Sequence, residues 1–195
     1  MKRRAPYLTI ALILINAAVF FALDFTGGVD LDRIYRFGGL YYYSVVKGGE
    51  WWRLITSCFL HFDIMHLGYN MISLLATGSN IELRYGKAVF CLTYLISGIV
   101  SGIGSMLIHH NAGEDFLSAG ASGAICGLIG FCIIRIIKEG GFTLANLARP
   151  LIAIILIVYS GATDGSVDQL AHVCGLICGA LICLFYRPKR EIPRA

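Results

Sequence analysis

Charged residues are scarce in this chain, and their scarcity restricts what the protein can be. Of its 195 residues only 14% are Asp, Glu, Lys or Arg, and 57% are hydrophobic, whereas soluble chains average about 25% charged residues. This composition excludes an ordinary soluble globular domain. Several apolar runs follow one another, each near the roughly 20 residues that a helix needs to cross a bilayer. The length suits one compact helical membrane bundle and leaves no room for a sizeable soluble domain.

The sequence also lacks the paired CxxC spacing that marks many cysteine-based metal and redox sites. Its seven cysteines are therefore expected to act as small buried hydrophobic residues rather than as disulfide partners or metal ligands. Cys58 is near a loop, and the other six lie inside apolar runs: Cys91, Cys126, Cys132, Cys174, Cys178 and Cys183. We expect no metal and no cofactor.

The apolar runs predict six membrane-spanning helices in a single domain that covers residues 1–195. The first run could imitate a signal peptide, but its 17 nearly unbroken apolar residues from Tyr7 to Leu23 and the lack of a small-x-small cleavage site favour a retained span. Residues 24–57 form a polar and aromatic loop that suits the headgroup interface. The expected spans are 7–23, 58–78, 88–108, 122–137, 150–161 and 170–186.

The distribution of positive charge predicts the orientation of these spans. With six spans both termini lie on one side of the membrane. That side then carries twelve of the 16 Lys and Arg residues, and the other side carries four. Cytoplasmic loops hold the excess of positive charge, so both termini are expected in the cytoplasm. No basic stripe with interleaved aromatic residues is present, which argues against nucleic acid as a partner.

The fifth span is short for a membrane crossing. Residues 150–161 would rise about 18 Å at 1.5 Å per residue, against a hydrocarbon core of roughly 30 Å. Pro150 suits the first turn of a helix, which favours this start. Two alternatives stay open: the helix begins nearer Leu144, or the bilayer is thinned around it.

Ser122 and His172 are polar residues at the starts of two apolar runs, where polar groups are expensive and usually mark function. Both are expected at the outer ends of their spans, and therefore in the same leaflet. A serine hydroxyl becomes a nucleophile when a base such as neutral histidine takes its proton. The fourth span is short, so Ser122 should lie below the outer surface, at the end of a water-filled dip. Plain helix packing is the alternative for each residue taken alone.

Glycines accompany both residues at the spacing that lets helices pack closely in lipid. Gly123 and Gly127 follow Ser122, and Gly175 and Gly179 follow His172. These two patterns could bring the fourth and sixth spans together, and with them the serine and the histidine.

His66 and Asn70 form a third polar element in the second span. Their i, i+4 spacing places them on one face of a helix. Both can donate hydrogen bonds, as a developing oxyanion requires, and the start of the fourth span offers free backbone N–H groups as well. The alternatives are a satisfied core histidine for His66 and, for His66 with Asn70, an interhelical hydrogen bond.

Five motifs occur in an order that resembles the rhomboid family of intramembrane serine proteases. They are WR (Trp52, Arg53), HFDIMHLGYN (61–70), ELRYG (82–86), GASG (120–123) and AHVCGLICG (171–179). Together they are highly specific, although GxxxG alone is weak. The resemblance implies an all-α membrane protein built as a six-helix rhomboid bundle with cytoplasmic N- and C-termini.

The resemblance implies a catalytic dyad without an acidic third member. Ser122 would be the nucleophile and His172 the general base. His66, Asn70 and the backbone N–H of Ser122 would form the oxyanion hole. The nearest carboxylates to His172 in sequence are Asp164 and Asp168, which we expect to be exposed in a loop and to give no assistance.

Other matching residues are implied to be structural, and one residue departs from the family pattern. Trp52 and Arg53 resemble the membrane-embedded element of the first loop, and Glu82 resembles a hydrogen-bonding residue of an inner loop. Rhomboids often carry an aromatic residue four places after the serine, stacked on the catalytic histidine. Here Cys126 takes that place, so His172 should have a smaller neighbour.

The expected function is hydrolysis of peptide bonds in or near the transmembrane segments of membrane-protein substrates. The protein is expected in the cell (plasma or inner) membrane, with the active site open to the extracytoplasmic side and the bilayer and transmembrane substrates as partners. An inactive rhomboid-like protein that binds transmembrane clients is the alternative; a transporter or channel is disfavoured, because no paired charges lie deep in the spans. Other classes of protease fit less well. The sequence has no HExxH motif for a zinc protease and no pair of intramembrane aspartates for an aspartyl protease. It also lacks the GxSxG motif of elbow-type serine hydrolases, because Ala124 stands where the last glycine is needed.

Overall fold

The computed structural model describes residues 5–163 and 168–186, and regular structure in these ranges is almost entirely helical. A π-helical turn (Tyr43–Lys47) and a 3₁₀ turn (Ser57–Phe59) lie between the first and fourth α-helices. The α-helices are α1 (Tyr7–Phe25), α2 (Leu31–Arg36), α3 (Arg53–Thr56), α4 (Ile64–Tyr85), α5 (Lys87–Asn111), α6 (Ser122–Glu139), α7 (Leu144–Thr163) and α8 (Gln169–Phe185). The protein is therefore all-helical, as the sequence predicts.

Two helices in the described ranges are both long and apolar enough to cross a membrane, α1 and α5. Shorter apolar stretches occupy Leu144–Tyr159 and Gln169–Phe185. All seven cysteines are free thiols.

The start of α4 differs from the expected start of the second span at residue 58. The helix begins at Ile64, because the carboxylate of Asp63 caps it by accepting the backbone N–H groups of Met65 and His66 at 2.7 and 2.9 Å. Aspartate is among the best N-cap residues, since it satisfies amides that have no intrahelical acceptor. Residues 58–63 instead contain the end of the 3₁₀ turn and a short connection.

Helix α7 also differs from the expected limits. It begins at Leu144 rather than at Pro150, which lies inside the helix. Its 20 residues rise about 30 Å, so the earlier start removes the shortage of length. Thr143 stabilises this start, because its backbone C=O and side-chain hydroxyl both accept the N–H of Asn146.

Glu82 ties the far end of α4 to the beginning of α1. Its carboxylate is buried and accepts the backbone N–H groups of Leu8 and Thr9 at 3.0 and 2.8 Å, and the Thr9 hydroxyl at 2.9 Å. These are among the first amides of α1, which have no intrahelical acceptors. The positive end of the helix dipole also favours a carboxylate here. Glu82 therefore has the contacts of a structural residue.

Arg53 organises the segment between α1 and α4. It is buried, and its guanidinium donates to the carbonyls of Tyr35 and Gly39 at 2.6 and 2.8 Å and to Glu50 at 2.5 Å. The cation also lies over the rings of Tyr35 and Trp52. Arginine satisfies several acceptors at once because its donors form a rigid fork. These contacts tie α3, which begins at Arg53, to the end of α2 and to the chain that follows α2.

Helix α6 is the centre of the bundle. Its residues from Gly123 to Cys132 are all buried, and it packs against α8 and α5 on two sides and α4 and α7 on the others. Against α5, a Cβ atom on Gly123 or Gly127 would overlap the side chain of Ser101 or Ser97. A helix that is apolar all round is suited to this position.

The closest approach in the molecule is between the backbones of α6 and α8. A Cβ atom on Gly175 would overlap the carbonyl oxygen of Gly123, and one on Gly179 would overlap that of Gly127. Backbone atoms cannot move aside as the end of a flexible side chain can. Glycine is therefore required at positions 175 and 179.

We predict that Gly179→Ala destabilises the protein by about 3 kcal/mol, the upper end of the usual range for overpacking, because backbone atoms cannot move aside. The matched control is Gly68→Ala in α4, where a new Cβ has open space. There the better helix propensity of alanine should leave stability unchanged or raise it by up to about 1 kcal/mol. Thermal unfolding in an uncharged detergent measures both variants. Equal midpoints for the two would contradict the close approach.

Candidate active site

Ser122 is the first residue of α6, and the loop before it (112–121) is anchored on both sides. Leu40 and Ser118 exchange backbone hydrogen bonds of 2.8 and 2.9 Å, and the N–H of Gly120 donates to the carbonyl of Ser57 at 2.9 Å. Gly120 has φ +132°, a conformation that only glycine adopts readily. The loop thus places a half-buried serine at the start of the central helix.

His172 reaches this serine from α8. It lies in the first turn of that helix, is buried, and has its Nε2 atom 2.8 Å from Ser122 Oγ. The pair is 50 residues apart in sequence. In the neutral tautomer with the proton on Nδ1, Nε2 accepts the hydroxyl proton. This distance allows a hydrogen bond of the kind that joins a nucleophile to a general base.

His66 belongs to the same cluster. A Cβ atom placed on Gly120 would lie 3.0 Å from His66 Nε2 and 3.7 Å from Ser122 Oγ, so the imidazole and the hydroxyl flank one glycine. The ring is buried and stacks on Phe62, with centroids 5.9 Å apart. The structure therefore places His66 beside the serine.

Asn70 lies one turn after His66 on the same helix and is almost completely buried. One polar atom of its amide has no hydrogen-bond partner among the described residues. This atom is the amide oxygen Oδ1, which accepts hydrogen bonds, whereas an oxyanion would need the amide NH₂ as a donor. The role of Asn70 as an oxyanion donor stays a prediction, and the structural alternative stays open.

The first amides of α6 add donors at the serine. The first intrahelical hydrogen bond runs from Ile125 N–H to the carbonyl of Ala121 at 3.0 Å, and no side chain caps the helix. The N–H groups of Ser122, Gly123 and Ala124 therefore have no intrahelical acceptor. Such a helix start favours negative charge.

The sequence-based prediction for Asp168 is wrong. The sequence predicts an aspartate exposed to solvent, but only 7% of its surface is exposed. One carboxylate oxygen accepts the hydroxyls of Ser105 and Ser118 at 2.5 and 2.7 Å, and the other accepts the N–H of Ala171 at 2.9 Å. Three donors compensate for the burial of the carboxylate. The other aspartate expected to be exposed, Asp164, lies outside the described residues.

The contacts of Asp168 join three parts of the site. Ser105 belongs to α5, Ser118 to the loop before Ser122, and Ala171 to the first turn of α8. The backbone carbonyl of Asp168 also accepts the N–H of His172 at 3.3 Å. Asp168 is therefore the N-cap of the helix that carries the histidine, and its side chain fixes that helix to the loop that carries the serine.

Two further residues singled out by the sequence are Trp52 and Cys126. Trp52 is half exposed next to Arg53, in the segment between α1 and α4. Cys126 lies one turn after Ser122 and is buried in the main apolar cluster, together with Leu74 and Ile129. Its stacking place beside His172 stays a prediction.

Comparison with known proteins points to one family. A family model described as Rhomboid domain matches residues 48–189. The chain is 34% identical over 176 residues to Rhomboid protease GluP of Bacillus subtilis (strain 168), covering 89% of this chain and 34% of GluP. It is 31% identical over 207 residues to Rhomboid protease AarA of Providencia stuartii, covering 92% of this chain and 72% of AarA. It is 33% identical over 155 residues to RHOMBOID-like protein 6, mitochondrial, of Arabidopsis thaliana, covering 78% of this chain and 49% of that protein. The chain thus spans about a third of the length of GluP.

We predict that Asp168→Ala and Asp168→Asn differ. Alanine removes a helix cap, which costs about 0.5–2 kcal/mol, and leaves two serine hydroxyls without their acceptor, which adds about 1 kcal/mol or more. Asparagine is an equally good cap and can still bond a hydroxyl, so most of the stability should remain. Thermal unfolding measures the difference. Asp30→Ala is the control, because Asp30 caps the short, exposed α2 through Arg33 N–H at 2.8 Å and should matter less.

Activity separates a structural role of Asp168 from a catalytic one. Asp168→Asn should keep most of the activity, whereas His172→Ala should remove it. A folded Asp168→Asn variant as inactive as His172→Ala would show that the carboxylate is a third member of the catalytic group.

Proposed function

The chain belongs to the rhomboid family of intramembrane proteases, and from that membership we propose that it hydrolyses peptide bonds in or near membrane-spanning segments of other membrane proteins. Ser122 is the nucleophile and His172 the general base. The observation that supports this best is the 2.8 Å separation of Ser122 Oγ and His172 Nε2. A packing role alone would leave the serine free to bond a carbonyl of its own helix.

The proposed reaction has two stages. Neutral His172 takes the proton of Ser122 Oγ while the oxygen attacks the carbonyl carbon of the substrate. Collapse of the tetrahedral intermediate breaks the C–N bond, and the leaving amine takes the proton from His172. A water molecule, deprotonated by His172, then attacks the acyl ester; His172 returns the proton to Ser122 Oγ as the C–O bond breaks and the carboxylic acid product leaves. One water is consumed for each peptide bond that is split.

The proposed oxyanion hole lies at the start of α6. The negative charge on the former carbonyl oxygen would be stabilised by the Ser122 N–H and by the side chains of His66 and Asn70. The position of His66 beside Gly120 and Ser122 supports this role, as does the burial of Asn70 one turn further along the same helix. Donors fixed in advance are effective because they need no reorganisation when charge develops.

We propose six spans, formed by α1, α4, α5, α6, α7 and α8, with both termini in the cytoplasm. Positive charge near the helix ends supports this orientation. The paired residues then open to the extracytoplasmic side of the cell membrane, below the surface. Helix α6 has 18 residues and rises only about 27 Å, so water must reach Ser122 through a dip. Substrate helices that unwind readily, often beside small residues, suit such a site by resemblance to the family.

We predict that the purified protein cleaves a generic transmembrane substrate and that Ser122→Ala and His172→Ala do not, because the nucleophile or its base is missing. The control is Ser79→Ala, whose hydroxyl bonds the carbonyl of Leu75 within α4 and should leave the cleavage rate unchanged. Cleavage that persists in Ser122→Ala would refute the proposal. A folded wild type that binds the substrate without cleaving it would support the inactive, client-binding alternative.

We predict that Asn70→Ala lowers kcat by about 10²–10³, which corresponds to about 2.7–4 kcal/mol for one oxyanion donor, with little change in KM. The reason is that the donor acts on charge that exists only in the transition state. Asn111→Ala, an exposed position at the end of α5, is the control. If Asn70→Ala raises KM alone, Asn70 binds substrate or packs the helix and does not stabilise the oxyanion.

A further inference from the structure

A second polar site lies at the end of the bundle opposite Ser122. It is a cleft between the last turns of α4 and α6 and the beginning of α7. We call it the arginine cleft. Its polar lining residues are Asn80, Arg84, Tyr85, Glu139, Asn146 and Arg149. Ser122 and Glu139 are the first and last residues of the same helix, so the cleft is remote from the proposed catalytic residues.

One carboxylate serves several donors at the arginine cleft. Glu139 accepts from Arg84 at 2.7 Å, from the neighbouring Arg135, and from the hydroxyl of Tyr85 at 3.3 Å. The nearby Glu82 is turned to the first amides of α1. Arg84 and Arg135 therefore share one acidic partner, Arg149 adds a further positive charge, and the local charge is positive.

Hydrogen-bond acceptors are also too few here. The Nε atom of Arg135 is buried without a partner among the described residues. Arg149 lines the cleft and forms no salt bridge within the described ranges. Adjacent like charges repel. An anion in the cleft would reduce the repulsion between Arg84 and Arg149, which both line it.

Two ordinary explanations for basic residues at helix ends do not account for Arg149. Arg84 and Arg135 lie near the C-terminal ends of α4 and α6, where the helix dipole favours cations. Arg149 lies in the second turn of α7, where the dipole gives a cation no advantage. The excess of positive charge on cytoplasmic segments requires no common cleft, yet Arg84 and Arg149 line the same one.

We propose that the arginine cleft binds a phosphate-bearing anion through the guanidinium groups of Arg84 and Arg149. Guanidinium donors match phosphate oxygens in pairs, and such bonds between charged groups are among the strongest hydrogen bonds. Phe142 and Leu144, beside the cleft, are 66% and 81% exposed, as suits contact with acyl chains. With the termini in the cytoplasm, the cleft faces the leaflet that holds anionic lipids. A lipid headgroup is therefore the expected source of the phosphate.

Thermal unfolding of the full chain in an uncharged detergent tests this site. Phosphatidylglycerol, phosphatidylcholine or inorganic phosphate is added at matched ionic strength. Binding to the folded state raises the unfolding midpoint in proportion to occupancy. Arg149→Gln is the main variant, because its side chain is exposed and has no ion pair to lose. Arg36→Gln is the matched control, an exposed arginine at the other end of the bundle paired with Asp32.

Phosphatidylglycerol should raise the midpoint of the wild type and of Arg36→Gln, and its apparent Kd should be about tenfold weaker or more in Arg149→Gln and Arg84→Gln. A rise with phosphatidylglycerol alone identifies a lipid headgroup, and a rise with inorganic phosphate as well identifies the phosphate group itself. The proposal is wrong if the wild type shows no rise, if phosphatidylcholine acts equally, or if Arg149→Gln responds as the wild type does. If Arg84→Gln does not fold, Arg149→Gln decides alone. The readout needs no proteolysis, so it is independent of the proposed function.

Discussion

The contact on which the site depends is the approach of two helix backbones, α6 and α8. Ser122 directly precedes Gly123, and His172 lies three residues before Gly175, whose Cβ position is occupied by the Gly123 carbonyl. The same contact repeats one turn later between Gly127 and Gly179. The 2.8 Å separation of hydroxyl and imidazole therefore follows from where the glycines allow the helices to touch. Any side chain at those places would separate the helices, and with them Ser122 and His172.

A second constraint fixes the depth and direction of the serine. Irregular backbone below a membrane surface is tolerated only where protein or water satisfies its polar groups. The loop before Ser122 meets this condition through Leu40, Ser57 and the buried carboxylate of Asp168. Because Asp168 also caps α8, one carboxylate joins the loop before Ser122 to the helix that carries His172. Glycine contact sets how close the helices lie, and Asp168 sets where along its axis α8 begins.

Sequence patterns predicted the helical class and the proximity of Ser122 and His172. The proximity was predictable because the glycine spacing and the side of the membrane on which each helix begins can be read from short stretches of sequence. They could not predict the burial of Asp168, since its partners Ser105 and Ser118 are 63 and 50 residues away and a loop aspartate beside polar residues resembles an exposed one. Helix limits were less certain for a related reason. Hydropathy extends the second span back to residue 58, whereas the cap at Asp63 starts α4 at Ile64. Pro150 favoured a helix start, although α7 begins six residues earlier. The arginine cleft likewise forms only when three helix ends meet.

The central claim is that His172 activates Ser122, and covalent labelling by a fluorophosphonate tests it most directly. The probe reacts with an activated serine and marks it permanently, so mass spectrometry of the labelled protein identifies the residue. The account predicts one adduct, on Ser122, formed in the wild type and lost when His172 is replaced by alanine in a protein that still folds. An adduct on another serine, or labelling of Ser122 at the same rate without His172, would contradict it.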